Sequence, residues 1–222
     1  MRPALVLFDF DGTVIDNSEG IGNCIQYALD KMGLPAADDE TLRSFIGPPL
    51  AWSFQRYFVD DADTAAEFVR LYRERFAPVG ITEVRLYPGI RELLETQIAH
   101  GRKTAVCSSK PMEFVTAIAE LLSVNDLFSG FFCPDAASAD AANAVGKADL
   151  ILQALKRFHT SPADAVMVGD TRFDVAAAKQ AGVVGIGVRY GFSAPGELEA
   201  AGADHIVGDV ESLGSLLDDL FC

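Results

Sequence analysis

The sequence predicts an α/β fold, in which a parallel sheet carries helices and a small all-helical segment is inserted near the amino terminus. Short continuous apolar runs recur along the chain, and such runs are typical of strands buried on both faces. Segments with helical periodicity separate them, which indicates crossover helices between parallel strands. Residues 16–85 show helical periodicity without a strand pattern, so we expect an inserted helical unit there.

The apolar runs give the order of the strands. We predict strands at 4–8, 103–107, 165–168 and 183–188, with an edge strand at 205–207. Helical periodicity covers 90–98, 114–122, 150–158 and 213–220 in the core, and 21–32 and 65–76 in the insertion. We therefore expect a core of residues 1–15 and 86–222, with a cap of residues 16–85. The cap should lie over the carboxyl ends of the strands, where open α/β sheets bind ligands.

Composition limits the possible partners. Half of the 222 residues are hydrophobic, which favours a buried core over disorder. The formal charge of −14 excludes a broad basic surface, so we expect no nucleic acid polymer as a partner.

The cysteines, Cys24, Cys107, Cys133 and Cys222, lie far apart, which argues against a disulfide framework or a zinc site. A reducing cytoplasm is the expected location. An acid at position 9 and the lack of a long apolar run indicate no signal peptide and no membrane partner. The sequence does not indicate an oligomeric state.

Two carboxylates follow the first predicted strand. Asp9 and Asp11 are two residues apart, so in an extended chain both side chains project to the same side. Like charges so close require either Mg²⁺ or a shared proton. Gly12 and Thr13 complete the turn. An Asx-turn that caps a helix is the structural alternative for this motif taken alone.

Further polar groups follow later strands. Asp170 and Asp174 come after the run 165–168, and helix capping accounts for one of these acids better than for both. Ser108 and Ser109 follow the run 103–107, where a hydroxyl and backbone N–H groups could hold a phosphate oxygen. Lys147 follows the polar loop 135–146 and could place a cation among the carboxylates, although a lone lysine more often lies on the surface.

In order along the chain, these motifs resemble those of the haloacid dehalogenase superfamily. The resemblance rests on Asp9-Phe-Asp11-Gly-Thr13, Ser108, Lys147 and Gly169-Asp170-x-x-x-Asp174. Three further segments resemble its phosphoglycolate phosphatase branch and bacterial 5′-nucleotidase-like members: 46–50, 86–90 and 190–192. The resemblance implies a three-layer Rossmann-like core and a cap of the four-helix type. The loop 135–146 lacks the basic residue common in those relatives, which puts any substrate contact from it in doubt.

The resemblance also implies a reaction: Mg²⁺-dependent hydrolysis of a phosphomonoester through an aspartyl phosphate. Asp9 is then the nucleophile, Asp11 the general acid and base, and Ser108 and Lys147 hold phosphoryl oxygens. Ser109, Gly12 and Thr13 are expected to contact the substrate. The expected metal site consists of Asp9, the Asp11 backbone carbonyl, Asp170 and Asp174, with Asp174 also suited to orienting Lys147 or a metal-bound water. The expected substrate is a small phosphorylated metabolite, either a nucleoside 5′-monophosphate or phosphoglycolate.

Two other functions remain open at this point. A sugar phosphomutase would share Asp9, Asp11 and the metal, and would be recognised by a need for glucose 1,6-bisphosphate. A noncatalytic binding module could have kept the fold without turnover.

Selectivity is expected to come from the cap. Arg43 and the turn 47–49 are candidate substrate contacts. Base stacking is the alternative to a core position for three aromatic residues, Trp52, Phe54 and Tyr57. A solvated helix face is expected for Arg70, Arg73 and Arg75.

Overall fold

The computed structural model describes residues 5–48, 50–135 and 146–221. Several sequence predictions concern positions outside this set, namely Ala4 in the first strand, Pro49 in the cap turn, residues 136–145 of the polar loop, and Cys222. Within the described residues, no helix is long and apolar enough to cross a membrane.

Six parallel strands form one sheet in the described part of the chain. In chain order they are β1 (Leu5–Phe8), β4 (Lys103–Cys107), β5 (Phe131–Phe132), β6 (Ala165–Gly169), β7 (Val184–Val188) and β8 (His205–Val207). Their spatial order is β5-β4-β1-β6-β7-β8, so β1 lies in the middle with β4 and β6 as its neighbours. The parallel sheet and five of its strands were predicted, whereas the two-residue β5 was not.

Helices cover both faces of the sheet, so alternate residues of the central strand are buried in opposite layers. Val6 and Phe8 belong to the apolar cluster on one face, and Leu5 and Leu7 to the cluster on the other. All four side chains are fully buried, and each stabilises the fold by about 1.5–3 kcal/mol. The first cluster includes α5 (Ile90–Ala99), α6 (Met112–Leu121) and α10 (Val210–Phe221), and the second includes α7 (Lys147–Phe158) and α8 (Arg172–Ala181). The core is therefore the expected three-layer α/β arrangement. A short helix, α9 (Glu197–Ala201), precedes β8.

The segment after β1 is helical, as predicted. It contains α1 (Ser18–Lys31), α2 (Asp39–Ser44), α3 (Leu50–Tyr57) and α4 (Ala62–Phe76). We call these four helices the cap. Its centre is aromatic: the rings of Phe54 and Phe68 stack with centroids 4.6 Å apart, and Phe45 lies 5.8 Å from Phe68. Phe54 is fully buried, which confirms the core alternative for that residue.

A short ladder joins the cap to the core. Strands β2 (Ile15–Asp16) and β3 (Arg85–Leu86) pair antiparallel, and the Arg85 guanidinium lies 2.5 Å from the Asp16 carboxylate. The ladder lies at the proposed domain boundaries, and the division into residues 16–85 and the remainder stays a prediction.

Candidate active site

The candidate site lies at the carboxyl edge of the sheet, because three adjacent strands end there with polar residues. Asp9 follows β1, Ser108 follows β4, and Asp170 follows β6. The Asp9 N–H donates to the Val168 carbonyl at 2.8 Å and continues the pairing of β1 with β6 by one residue. Parallel pairing therefore brings together side chains that are far apart in the sequence.

Lys147 joins two of the carboxylates. Its Nζ lies 2.8 Å from Asp9 Oδ2 and 2.5 Å from Asp174 Oδ1, and all three side chains are buried. The sequence analysis allowed Lys147 to lie either on the surface or among the carboxylates. The structure places it beside Asp9, at the first residue of α7.

Asp174 has its two oxygens engaged by different partners. Oδ1 faces Lys147, while Oδ2 accepts hydrogen bonds from the backbone N–H and the hydroxyl of Thr171. These contacts form a capping box at the start of α8. Asp174 thus caps the helix and contacts Lys147, so the capping interpretation is confirmed and its role in the site stays a prediction.

Asp170 is held by the loops that follow β1 and β7. Its Oδ2 accepts the Phe192 N–H at 2.8 Å, and Thr13 Oγ1 lies 3.5 Å from Oδ1. Gly12 has a φ of +78°, and a Cβ at that position would lie 2.1 Å from Asp170 Oδ2. Glycine is therefore required at position 12 both by the backbone and by the approach of Asp170. Gly12 and Thr13 were predicted as substrate contacts, and the structure shows them against Asp170.

Burial opposes ionisation of these acids. It raises the pKa of Asp9 to about 6, even though Lys147 acts in the opposite direction. Burial, together with the charges of Asp174 and Asp9, raises the pKa of Asp170 well above its ordinary value. For Lys147, burial alone would lower the pKa, but Asp174 and Asp9 outweigh it and raise the pKa. In this cluster of three aspartates and Lys147, the carboxylates outnumber the positive charges.

The donor set suits a hard divalent cation. One oxygen from each of Asp9, Asp170 and Asp174 lies within 4.8 Å of the others, and all three residues are buried. These carboxylates together with Lys147 carry a net charge of −2 when ionised. Carboxylate oxygens are the ligands that Mg²⁺ and Ca²⁺ take in proteins. The residues present therefore fit a divalent metal site.

Asp11 is partnered by a lysine that the sequence analysis did not single out. Lys110 Nζ lies 2.9 Å from Asp11 Oδ2, and the lysine side chain is only 9% exposed. Asp11 Oδ1 is buried without a hydrogen-bond partner among the described residues. The Lys110 ammonium also lies 4.5 Å from the centre of the Phe76 ring, which belongs to the cap. The only sequence signal that could have pointed to Lys110 is its position two residues after Ser108.

A cavity of about 110 Å³ separates these residues from the cap. Asp9, Asp11, Ser108, Ser109 and Lys147 form its polar end. Lys110 and Arg73 also line it, and its remaining walls are mostly apolar. The expectation of a solvated helix face was wrong for Arg73, because periodicity shows which residues share a helix face but not what that face opposes.

Arg43 lies elsewhere. It lines a separate groove that also contains Trp52 and Tyr57, and none of the three lines the cavity. The predicted contact of Arg43 with the substrate therefore has no support from this arrangement. Of the predicted cap turn, Gly47 and Pro48 do line the cavity.

Comparison with known proteins identifies the family. The family model described as haloacid dehalogenase-like hydrolase matches residues 6–188. A 5′-nucleotidase from Pseudomonas aeruginosa is 35% identical over 98% of this chain and 97% of its own length. A phosphoglycolate phosphatase from Shigella boydii is 29% identical, covering 94% of this chain and 90% of its own. The crystal structure of a predicted phosphatase from Clostridium acetobutylicum superimposes with a TM-score of 0.90 and 34% identity, covering 99% of this chain and 100% of that one. The chain is thus a phosphatase and belongs to the haloacid dehalogenase-like hydrolase family.

Proposed function

We propose that the chain is a Mg²⁺-dependent phosphomonoester hydrolase that works through a phosphoryl group carried on Asp9. The observation that carries this proposal is the buried cluster of Asp9, Asp170 and Asp174 at the sheet edge, in which Lys147 contacts Asp9 and Asp174. Buried acids with strongly shifted pKa values in a cleft are typical of catalytic sites.

The first step is attack by a carboxylate oxygen of Asp9 on phosphorus. The bond between phosphorus and the ester oxygen breaks, and Asp11 gives a proton to the departing oxygen. In the second step, water attacks phosphorus, Asp11 takes its proton, and inorganic phosphate leaves with the Asp9 carboxylate restored. The unpartnered Oδ1 of Asp11 leaves that oxygen available for these proton transfers.

Asp9, Asp170 and the Asp11 backbone carbonyl would hold Mg²⁺, which when bound neutralises charge between the phosphoryl oxygens and the carboxylates. Asp174 holds Lys147 through Oδ1 and caps α8 through Oδ2. Ser108, Ser109 and Lys147, which all line the cavity, would then hold the equatorial phosphoryl oxygens, where charge gathers in the transition state.

The cavity favours a small substrate with a second acidic group. Its volume of about 110 Å³ is below the range of about 300–1,000 Å³ for drug-sized ligands. Lys110 and Arg73 line it in addition to Lys147, so a carboxylate on the leaving group would meet positive charge. Phosphoglycolate has both properties. A nucleoside 5′-monophosphate is the second candidate, favoured by the 35% identical relative named a 5′-nucleotidase.

Cys24, Cys107 and Cys133 are free thiols, which agrees with action in a reducing cytoplasm.

Phosphate release by the purified chain tests the proposal. Phosphoglycolate, nucleoside 5′-monophosphates, sugar phosphates and phosphotyrosine are assayed with Mg²⁺ and with EDTA, and Asp9→Asn serves as the control. We expect Mg²⁺-dependent release that Asp9→Asn abolishes, fastest with phosphoglycolate. Normal turnover by Asp9→Asn would refute the role of Asp9. No release from any ester would overturn the proposal and leave a mutase or a binding module. Conversion of one sugar phosphate isomer into another that depends on glucose 1,6-bisphosphate would then identify the mutase.

A further inference from the structure

A second cavity lies between the cap and the core, on the other side of the turn 46–48. Its volume is about 570 Å³, which is within the range of ligand-binding sites. We call it the interdomain groove. Among the described residues it shares only Ile46 and Pro48 with the catalytic cavity. Between these two, Gly47 packs against the core, and a Cβ there would lie 3.2 Å from Thr171 Cγ2. The turn therefore forms a wall between the two cavities.

Aromatic rings from both sides face the groove. Trp52 and Tyr57 come from α3 of the cap, and Phe173 comes from α8 of the core. Trp52 and Tyr57 are each 44% exposed, and Phe173 is 38% exposed. Large aromatic side chains are usually more buried than this in a folded domain, and a concentration of exposed rings is typical of a binding site.

The same groove concentrates arginines in a chain whose net charge is −14. Arg43 and Arg56 come from the cap and Arg172 from the core. The Arg56 guanidinium lies 5.5 Å from the centre of the Trp52 ring and 5.8 Å from that of Tyr57. No ion pair joins Arg43 or Arg56 to a carboxylate within the described residues.

The acids of the groove do not cancel this charge. Glu197 accepts hydrogen bonds from the Arg172 and Ala194 backbone N–H groups, and its oxygen lies 3.7 Å from the Arg172 guanidinium. Glu40 is the other acid that lines the groove. A hydrogen bond with Ser44, followed by the charges of Arg56 and Arg172, holds the pKa of Tyr57 below its ordinary value. The charges of a cap arginine and a core arginine therefore act on one hydroxyl group.

We propose that the interdomain groove binds a nucleotide at a site separate from the catalytic cavity, with its base against the exposed rings and its phosphates at Arg43 and Arg56. Both halves of such a ligand have counterparts here: rings stack on bases regardless of sequence, and guanidinium groups bind phosphate by charge-assisted hydrogen bonds. A neutral aromatic compound would leave the arginines unused, and inorganic phosphate would leave the rings exposed. The bound nucleotide would contact cap and core together.

The chain carries its own reporter for this site, because Trp52 is its only tryptophan. Fluorescence of Trp52 is followed during titration with ADP in EDTA, so that no turnover occurs and the outcome does not depend on the catalytic proposal. We expect a saturable change. Inorganic phosphate, which fits the catalytic cavity, should neither produce this change nor displace ADP.

Two variants locate the ligand. Arg56→Gln should weaken ADP binding at least about tenfold, since a charge-assisted contact is lost. Phe173→Ala should weaken it at least about fivefold through lost stacking. The matched control is Arg70→Gln, which removes the same charge from an exposed cap helix where Arg70 pairs with Glu67 and Glu74. It should leave binding unchanged.

The proposal is overturned if ADP produces no saturable change, or if phosphate competes with ADP and so places it in the catalytic cavity. Equal weakening by Arg70→Gln and Arg56→Gln would also overturn it, because binding would then follow overall charge rather than the groove. Calorimetric titration with ADP checks the affinities of the variants without relying on Trp52 emission.

Discussion

Replacing Asp9 by asparagine should stabilise the metal-free protein while it abolishes turnover. Burial raises the pKa of Asp9 from 3.8 to about 6 despite its contact with Lys147. Each pKa unit corresponds to about 1.4 kcal/mol. The ionised Asp9 carboxylate therefore lowers the free energy of unfolding by about 3 kcal/mol once the pH is above both values. Asparagine has nearly the same shape and carries no charge, so it removes this penalty.

The sign of the pH dependence follows from the two pKa values. In the unfolded chain Asp9 ionises near its ordinary pKa of 3.8, and in the folded protein it does so at about 6. Between these values the folded protein binds more protons, so stability falls as the pH rises through this range. The advantage of Asp9→Asn should be about 0.5 kcal/mol at pH 4 and about 3 kcal/mol at pH 8. Lys147 keeps its contact with Asp174 in the variant.

Urea unfolding in EDTA at pH 4 and pH 8 measures this difference. Asp30→Asn, at an exposed position at the end of α1, is the control and should change stability by less than about 0.5 kcal/mol at both pH values. Adding Mg²⁺ should then stabilise the wild type by mass action and have less effect on Asp9→Asn. The reasoning is refuted if Asp9→Asn is no more stable than the wild type at pH 8 without metal.

Three further predictions concern neighbouring residues. Ser108→Ala should lower kcat in phosphate-release assays about 10²-fold or more through loss of a phosphoryl oxygen ligand, whereas an unchanged kcat would remove Ser108 from that role. Lys110→Met should raise KM for phosphoglycolate at least about tenfold but leave KM for phenyl phosphate, which has no second acidic group, within about twofold; equal effects on both esters would contradict the proposed contact. Gly12→Ala should lower the free energy of unfolding by about 1–3 kcal/mol more than Gly33→Ala. Both glycines have positive φ, but a Cβ at Gly12 meets Asp170 while Gly33 faces open space; equal losses in urea unfolding would show that only the backbone matters.

The sheet could be predicted because its strands are buried on both faces. The runs at 103–107 and 205–207 match β4 and β8 residue for residue, β6 and β7 differ from prediction by one residue each, and the described residues of the run 4–8 all lie in β1. Strand β5 has only Phe131 and Phe132, too short a run to distinguish from a loop. The ladder of β2 and β3 is equally short and depends on pairing between distant residues.

Within the site, the predictable residues were those that follow strands. Asp9, Ser108 and Asp170 come directly after β1, β4 and β6, and parallel topology alone brings them to one edge. Lys110 was missed because its position two residues after Ser108 does not by itself show that its side chain pairs with Asp11.

Arginines of the cap show the same limit. Helical periodicity could not show that Arg73 lines the cavity and Arg43 the groove, because that depends on how the cap packs on the core.

The central claim is that Asp9 carries the phosphoryl group, and chemical trapping during turnover tests it most directly. The enzyme is mixed with Mg²⁺ and its fastest substrate, quenched in acid, and treated with borohydride, which reduces an aspartyl phosphate to homoserine. Peptide mass mapping should find homoserine at position 9, only when substrate is present, and never in Asp9→Asn. Rapid turnover with unmodified Asp9, or with the modification on another carboxylate, would contradict the account.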